Sequence, residues 1–375
     1  MVRKSALSEA PGFDRTPPIR RIGFTSVLRS EGVAARLGLA LGLSFTIAFA
    51  TGLLSHFLQH PPTWLDWPSR PVWLYRVTQG VHVIGGIATI PLLLAKLWTV
   101  YPRLWQWPPL RSAGHAAKRG LVLVLVAGSL FQLVTGLLNV AYTYLWAFSF
   151  PVTHYWTAFI VYGALIVHAT NEWARVRRSL PRPLETSRRG FLRTAATASG
   201  LAALLTSGEA VTPLRRAALL APRDPAVGPQ GLPVNRTAQA AGVTAPGADY
   251  RLAIGTLSLS YDDLTRLPQH TVELPIACVE GWSVSARWTG VRLADLARSA
   301  GAAPHAVLTV ESLERRGGHR ASELRPPHWN DPLTLLALRV DGQTLHIDHG
   351  YPVRLIAPNR PGVQQTKWVH RIVIP

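Results

Sequence analysis

Four long apolar stretches in the first half of this 375-residue chain constrain its fold more than any other feature. A helix that crosses a lipid bilayer needs about 20 largely apolar residues, because its backbone polar groups must be satisfied within the segment. The stretches cover residues 33–54, 77–100, 121–142 and 152–173, and a fifth, less apolar stretch covers 191–205. We therefore predict an all-α bundle of four transmembrane helices followed by a fifth span.

Basic residues are distributed unevenly around these stretches. The tail before residue 33, the loop at 101–120 and the segment at 174–193 hold nearly all of them, whereas the loops on the opposite side hold only Arg70 and Arg76. Cytoplasmic loops are enriched in Lys and Arg. We predict a multi-pass protein of the plasma membrane, with a cytoplasmic N-terminus and an extracytoplasmic C-terminal part.

The formal net charge of +19 would by itself suggest a nucleic-acid partner. Residues 240–375, however, carry 14 Lys and Arg against 12 Asp and Glu, so the excess belongs to the segments that flank the apolar stretches. The expected large partner is therefore the lipid bilayer, and no nucleic acid is expected.

Four histidines lie in or beside the apolar stretches, where ionisable groups are costly and usually functional. His56, His82 and His154 are predicted at the outer ends of the first, second and fourth helices, and His168 lies deeper in the fourth. Their spacing in the fourth helix leaves His154 and His168 about 40° apart around the axis and about 21 Å apart in depth. A helix that offers one ligand to each of two stacked haem groups has this spacing.

We expect His82 and His154 to ligate one haem b near the outer face, with His56 as the substitute ligand. His168 would ligate a second haem, and the nearby histidine at inner depth is His115, in the loop. The alternative interpretation is that His56 is an ordinary interfacial residue and that His82 and His154 have structural roles.

The junction after the bundle carries a possible export signal. Residues 187–193 read Ser-Arg-Arg-Gly-Phe-Leu-Arg and precede a weakly apolar run, a pattern typical of a twin-arginine signal. The alternative is the basic flank of a stop-transfer segment. The twin-arginine route carries folded proteins, so it suits a domain that acquires a cofactor in the cytoplasm. In the linker that follows, residues 232–237 are either filler or an arm that contacts a cofactor, with Asn235 as the candidate.

From residue 250 the sequence changes to short strand-like runs at 250–257, 271–277, 306–312, 334–340, 352–357 and 369–374. Short helices are predicted at 260–267 and 291–300, which gives a mainly β (α+β) domain. Cys278, the single cysteine of the chain, follows one of these runs and excludes a disulfide framework or a Cys-cluster metal site. Cys278 is either a buried structural residue or a group that the end of a strand presents to a site.

The membrane half resembles the cytochrome b family of membrane anchors, the four-helix haem subunits of formate dehydrogenases and cytochrome b561-like reductases. The resemblance rests on the spacing of His154 and His168 and on His82 in the second helix. It implies haem b, one or two groups, bound within the bundle.

Three motifs of the C-terminal part carry a second resemblance. Residues 278–283 read Cys-Val-Glu-Gly-Trp-Ser, residues 288–296 read Trp-Thr-Gly-Val-Arg-Leu-Ala-Asp-Leu, and residues 349–355 read His-Gly-Tyr-Pro-Val-Arg-Leu. In this order they are similar to the sulfite oxidase family of molybdopterin enzymes. The resemblance implies that Cys278 is the protein's thiolate ligand to molybdenum, with the pterin dithiolene supplying the other sulfurs. It also implies that the pterin and its phosphate are held by Arg287, His349, Arg354 and Lys367.

These observations predict a multi-domain chain. Its parts are a basic tail (1–32), a cytochrome b-like bundle (33–175), the twin-arginine motif with a fifth span (176–206), a linker (207–247) and a molybdopterin-binding domain (248–375). The expected function is electron exchange between an extracytoplasmic molybdopterin site and the quinone pool through haem b, with oxygen-atom transfer on a small substrate. The alternatives are a membrane cytochrome whose exported domain serves binding or assembly without a cofactor, and a transport or sensing protein whose histidines bind protons or metal.

Overall fold

Five long helices come first in the computed structural model, which describes residues 26–104, 112–221 and 227–375. They are α1 (Glu31–Gln59), α2 (Leu74–Leu104), α3 (Ala113–Val140), α4 (Phe150–Ser179) and α5 (Thr186–Ser207). Among the described residues, α1 to α4 are long and apolar enough to cross a membrane by length and composition. They coincide with the four predicted stretches, whereas the predicted basic tail before residue 26 lies outside the described residues.

Helices α1 and α3 of the bundle begin after capping serines, and the helices pack mainly on their neighbours in sequence. Ser30 accepts a hydrogen bond from the Val33 amide (3.2 Å), and Ser112 accepts one from the His115 amide (3.2 Å), which satisfies donors that a helix start leaves open. Helix α1 packs on α2, α3 packs on α4, and α1 also contacts α4. The apolar surfaces of α1 to α4 therefore meet in one bundle.

Helix α5 is less apolar than the other four but follows α2 in the opposite direction. Near its start the ring of Phe191 lies 5.3 Å from that of Trp98, close to the end of α2. Beyond its end the Ala210 carbonyl accepts a hydrogen bond from Arg76 (2.6 Å), close to the start of α2. Helix α5 thus extends alongside most of the length of α2.

The C-terminal part contains two five-stranded sheets. The first has the order β2-β1-β10-β5-β6, formed by Leu257–Ser260, Arg251–Ile254, Val369–Val373, Leu308–Ser312 and Ala321–Leu324. The second has the order β3-β4-β7-β8, formed by His270–Ala277, Ser283–Arg292, Leu335–Val340 and Gln343–Thr344, and β9 (Arg354–Ile356) also pairs with β7. All pairs are antiparallel except β1 with β10.

Four short helices connect the strands or precede them. They are α6 (Ala238–Ala241), α7 (Tyr261–Arg266), α8 (Leu293–Ser299) and α9 (Pro326–Trp329). The predicted mainly β domain is confirmed, and its two predicted helices correspond to α7 and α8. The sequence prediction omits β4, although its polar and apolar residues alternate from Ser283 to Thr289 and its buried positions alternate there with more exposed ones.

Two apolar clusters form the core of the sheet domain, and the first of them also includes residues of the second sheet such as Leu336 and Leu355. The core of the first sheet is closed by α8 and includes the fully buried Trp329, whose Nε1 donates to the Ala306 carbonyl (2.8 Å). The core of the second sheet includes Trp288 and also Cys278. A third apolar cluster joins the two halves of the chain, because Tyr75 of α2 packs against Ala277 at the end of β3.

Polar contacts also join the sheet domain to the loop between α1 and α2. Arg70 forms an ion pair with Asp331 (3.1 Å), and Arg325 forms one with Asp66 (3.0 Å). Asn359 donates to the Pro68 carbonyl (2.8 Å) and accepts from the Tyr75 amide (2.9 Å). The domain therefore rests on the end of the bundle that holds the α1–α2 loop.

The core of the first sheet can be tested with two tryptophans. We expect Trp329→Ala to destabilise the sheet domain by about 3–5 kcal/mol, because it removes a fully buried ring and leaves a cavity. Trp64 is 80% exposed, so Trp64→Ala should change stability by less than about 0.5 kcal/mol. Denaturant unfolding of the detergent-solubilised protein measures both, and equal losses would contradict this account of the core.

Candidate active site

Cys278 occupies the turn between β3 and β4. Its amide donates to the Trp282 carbonyl (2.9 Å), and its carbonyl accepts from the Gly281 amide (3.1 Å). Gly281 has a φ of +104°, a backbone conformation that side chains disfavour, so glycine suits this position. The turn buries Cys278 to 2% exposure and makes it part of the lining of a pocket.

The Cys278 sulfur accepts two hydrogen bonds. Asn235 Nδ2 lies 2.5 Å from Sγ, and the Glu280 amide lies 3.4 Å from it. Asn235 is itself oriented by Trp282, whose Nε1 donates to Asn235 Oδ1 (3.1 Å). Donors around a sulfur stabilise its thiolate form, which is the form that binds a metal. The structure thus brings the predicted Asn235 and Cys278 together.

Two cations line the same pocket below the surface. Arg354 is 3% exposed, and its Nη1 donates to the His349 carbonyl (3.2 Å) while the guanidinium lies 5.4 Å from the Trp288 ring centroid. Lys367 Nζ donates to the carbonyls of Asp348 (2.6 Å) and Arg236 (3.0 Å). Burial lowers the pKa of Arg354 to about 9 and that of Lys367 to about 7.

These buried charges fit an anionic group. Within residues 26–104, 112–221 and 227–375, neither Arg354 nor Lys367 forms an ion pair with a carboxylate, and Arg354 Nε has no hydrogen-bond partner. An uncompensated buried charge costs several kcal/mol. A phosphate bound there would compensate both charges and offer acceptors to the guanidinium. The pocket beside Cys278 therefore fits a cofactor that joins a metal-binding group to a phosphate.

His349 helps to position Arg354. Its side chain is buried, its Nε2 lies 2.7 Å from the Pro229 carbonyl, and burial lowers its pKa to about 4. The ring is therefore neutral near neutral pH and bound to the segment that precedes the Asn235 arm. Its backbone carbonyl holds Arg354, so His349 positions a pocket residue.

The structure does not bring Arg287 to the pocket. Its side chain is 69% exposed and lies 3.8 Å from Asp341, on the outer face of β4. Side chains alternate between the faces of a strand, and the next residue, Trp288, is fully buried. Arg287 therefore lies outside the pocket.

The pocket also contains residues that the sequence did not single out. Arg236 Nε lies 2.8 Å from Glu314 Oε1, and Glu314 is largely buried. His319, Gln365 and Thr366 line the pocket as well. Arg236 directly follows Asn235, so its position in the predicted arm could have identified it. Glu314 and His319 lie in a segment without a motif.

A second constellation lies within the bundle. The rings of His82 in α2 and His154 in α4 lie edge to face, with centroids 6.1 Å apart and planes at 82°. His82 Nδ1 lies 2.8 Å from the Ala48 carbonyl, and His154 Nδ1 lies 3.1 Å from Thr135 Oγ1. Histidines that bind a metal through one nitrogen usually anchor the other one in this way.

Gly52 of α1 makes room for the His82 ring. A Cβ atom on Gly52 would lie 2.6 Å from Cε1 of His82, so a larger residue would displace the ring. His82 and His154 are the two residues of the bundle that would hold a haem iron.

The other two candidate histidines are placed differently. His56 stacks on Tyr155, with ring centroids 3.8 Å apart, and its ring lies 4.9 Å from that of His60. His168 lies further along α4, and no histidine ring pairs with it among the residues that the structure describes. The structure thus brings together His82 and His154 but neither His56 nor His168 with them.

Burial of Lys367 makes the free energy of unfolding depend on pH, and this dependence can be measured. Its ordinary pKa is 10.5 and its pKa in the folded chain is about 7, so between these values the unfolded chain binds more protons than the folded chain. We therefore expect the cofactor-free protein to gain stability as pH rises from about 7 to 10. Urea unfolding across this range measures the gain.

Two variants of the cofactor-free protein complete this experiment. Lys367→Met should flatten the profile between pH 7 and 10, since it removes the group that titrates. Arg371→Met, at a position with a 58% exposed side chain, should leave the profile as it is. A wild-type slope in Lys367→Met would contradict the burial of this charge.

Comparison with known proteins shows which proteins the C-terminal part of the chain resembles in sequence. The family "Oxidoreductase molybdopterin binding domain" matches residues 241–375. Mitochondrial sulfite oxidase from Rattus norvegicus is 32% identical over 158 residues, which cover 35% of this chain and 28% of the relative. Protein-methionine-sulfoxide reductase catalytic subunit MsrP from Gluconobacter oxydans is 37% identical over 109 residues (25% and 35%), and uncharacterized oxidoreductase YuiH from Bacillus subtilis is 29% identical over 124 residues (33% and 61%).

The chain thus spans between 28% and 61% of the length of these relatives. Two of them are named for reactions at sulfur, and the shared class agrees with a pocket that combines Cys278 with buried cations. Residues 241–375 are therefore a molybdopterin-binding oxidoreductase domain.

Proposed function

We propose that this chain is a membrane-bound enzyme that transfers an oxygen atom at a small substrate outside the cytoplasm and exchanges electrons with the quinone pool through haem b. The observation that carries the proposal is the pocket in which the hydrogen-bonded sulfur of Cys278 lies beside the buried cations Arg354 and Lys367. The His82–His154 pair supports the second half of the proposal.

Five residues in and behind the pocket would hold the molybdenum cofactor, which when bound supplies two-electron oxygen-atom transfer. Cys278 would provide the thiolate ligand, and Asn235 would orient its sulfur through the hydrogen bond to Sγ. Arg354 and Lys367 would hold the phosphate, whose negative charge would favour the protonated form of Lys367. His349 would keep Arg354 in place through its carbonyl.

For the substrate we favour an S-oxide over sulfite. The relative with 37% identity is named for reduction of methionine sulfoxide. The Arg236 guanidinium in the pocket is already paired with Glu314, which disfavours an additional anion such as sulfite. Reduction of an S-oxide consumes two electrons and two protons and releases water, and His319, which lines the pocket, would relay the protons from solvent.

The bundle would supply the electrons. His82 and His154 would ligate one haem b, which when bound passes electrons one at a time. The carbonyl of Ala48 and the hydroxyl of Thr135 would fix the two rings.

Basic residues around the inner helix ends favour a cytoplasmic N-terminus in the plasma membrane, and helix α5 would be a fifth span that keeps the C-terminal domain outside.

The molybdenum site is tested by Cys278→Ser. We expect this variant to lose its S-oxide reductase activity by more than the 10–100-fold that outer-shell changes typically cost, although the pterin dithiolene can still hold molybdenum. Arg287→Ala, which alters an arginine outside the pocket, should keep its activity. Metal analysis and a dye-driven assay with S-oxide, N-oxide and sulfite as substrates measure the outcome. Wild-type activity in Cys278→Ser would overturn the assignment.

The haem site is tested by His82→Ala and His154→Ala. Each would remove one of the two proposed iron ligands, so we expect the haem b absorption spectrum to be lost from the purified protein. His60→Ala, at a histidine outside the pair, should retain the spectrum. If both single variants kept a normal spectrum, the pairing of His82 with His154 would be wrong.

The same measurements separate the alternatives. Haem without molybdenum in the wild-type protein would favour a membrane cytochrome with a cofactor-free exported domain. A protein with neither cofactor would favour transport or sensing through the histidines. Stoichiometric molybdenum together with a haem b spectrum supports the proposed enzyme.

A further inference from the structure

We infer that the Cys278 turn is held in a fixed seat formed by α2 and the end of α5, so that electrons pass between bundle and pocket without movement of the domain. This inference rests on the proposed function, since it concerns the path between the two proposed cofactor sites. We define the seat by Gln79 and Val83 of α2 and by Glu209 and Ala210 after α5.

Helix α2 contacts the Cys278 turn directly. Gln79 Nε2 donates to the carbonyl of Val279, the residue after Cys278, over 2.6 Å. One helical turn further on, Val83 approaches Gly281 so closely that a Cβ atom on this glycine would lie 2.9 Å from Val83 Cγ1. Gly281 is therefore needed for this contact as well as for its backbone conformation.

The same part of α2 carries His82. Residues 79 and 83 lie on one face of the helix because they are four positions apart, and His82 directly precedes Val83. Its ring points to the other partners described above, the Ala48 carbonyl and His154. One short stretch of α2 therefore contacts both the Cys278 turn and the histidine pair.

The end of α5 holds the other side of the turn. The amide of Ser283, which ends the Cys278 turn, donates to the Glu209 carbonyl (3.0 Å). The next carbonyl, that of Ala210, accepts from Arg76 Nη2 (2.6 Å), and Arg76 Nη1 also reaches Ser285 Oγ (3.4 Å). The turn is thus bound to the helix that carries the twin-arginine pattern as well as to α2.

Polar contacts between the sheet domain and the α1–α2 loop, which we call the rim, make separation of the domain from the bundle costly. The Asp331 side chain is 4% exposed and accepts from Ser69 (2.7 Å) and Arg70 (3.1 Å), both from the α1–α2 loop. Asn359 is buried between the Pro68 carbonyl and the Tyr75 amide. Separation would break these bonds and expose the apolar contact of Tyr75 with Ala277. The geometry is that of a permanent interface between the two halves.

A reducible cross-link between the α1–α2 loop and the sheet domain tests whether the enzyme turns over while the domain stays in contact with the bundle. Ser69→Cys combined with Asp331→Cys introduces two thiols at positions whose side chains now share a 2.7 Å hydrogen bond, and a short bis-thiosulfonate reagent can join them through two reducible disulfides. A protease site inserted after Leu219, which is 79% exposed, allows the cross-link to be read on non-reducing gels, because linked fragments stay together. We expect complete cross-linking in membranes, and quinol-driven turnover that is the same before and after mild reduction. The two single-cysteine variants are the controls.

Two results would overturn the inference. Cross-linking of only a minor fraction would show that the seat is not permanently filled. Complete cross-linking with turnover that returns only after reduction would show that the domain has to move. The gel result does not depend on either cofactor, so it decides whether the seat exists even if molybdenum and haem analysis of the wild-type protein should contradict the proposed function.

Gln79 is a positioning residue in this inference, and Gln79→Leu tests it. We expect unchanged molybdenum, haem spectrum and dye-driven activity, but haem reoxidation by substrate slower by about 10-fold or more, the lower end of typical outer-shell effects. Gln269→Leu removes a glutamine that donates only to nearby carbonyls of its own loop and should have no effect. A wild-type reoxidation rate in Gln79→Leu would contradict the role of Gln79.

Discussion

The burial of two positive charges beside Cys278 is the interaction on which the rest of the sheet domain depends. Arg354 begins β9 and Lys367 precedes β10, so the two sheets each contribute one cation to the same pocket. The backbone carbonyls of His349, Asp348 and Arg236 orient these cations but do not neutralise them. Binding of an anionic group would therefore stabilise the domain, because it would compensate the charge of Arg354 and favour the protonated form of Lys367.

Both proposed cofactor sites use the same device, in which a second contact fixes the atom that would bind the metal. Asn235 does this for the sulfur of Cys278, and carbonyl or hydroxyl oxygens do it for the rings of His82 and His154. Small residues provide the space, since Gly52 makes room for a histidine ring and Gly281 allows the turn to approach α2. The two sites are thus built from ligands on regular elements and from supports on their neighbours.

Much of this arrangement could be predicted from the sequence, because its signals are local. Apolar length identified α1 to α4, and one contiguous motif pointed to Cys278. Arg287 belongs to the same motif region but lies outside the pocket, because alternation along β4 turns it outward when Trp288 turns inward. Glu314, His319 and the seat contacts of Gln79 come from segments far apart in the chain. Such contacts have no local pattern and become visible only in the folded structure.

The arm that carries Asn235 lies before the boundary at which the matched oxidoreductase family begins, residue 241. Leu232 anchors this arm in the core of the second sheet, and Gln230 next to it donates to the Thr344 carbonyl (2.9 Å). A soluble fragment cut at the family boundary would therefore lack the amide that donates to the Cys278 sulfur. We therefore expect a catalytic fragment of this chain to begin upstream of Gln230, because the proposed metal ligand needs polypeptide that lies outside the family boundary.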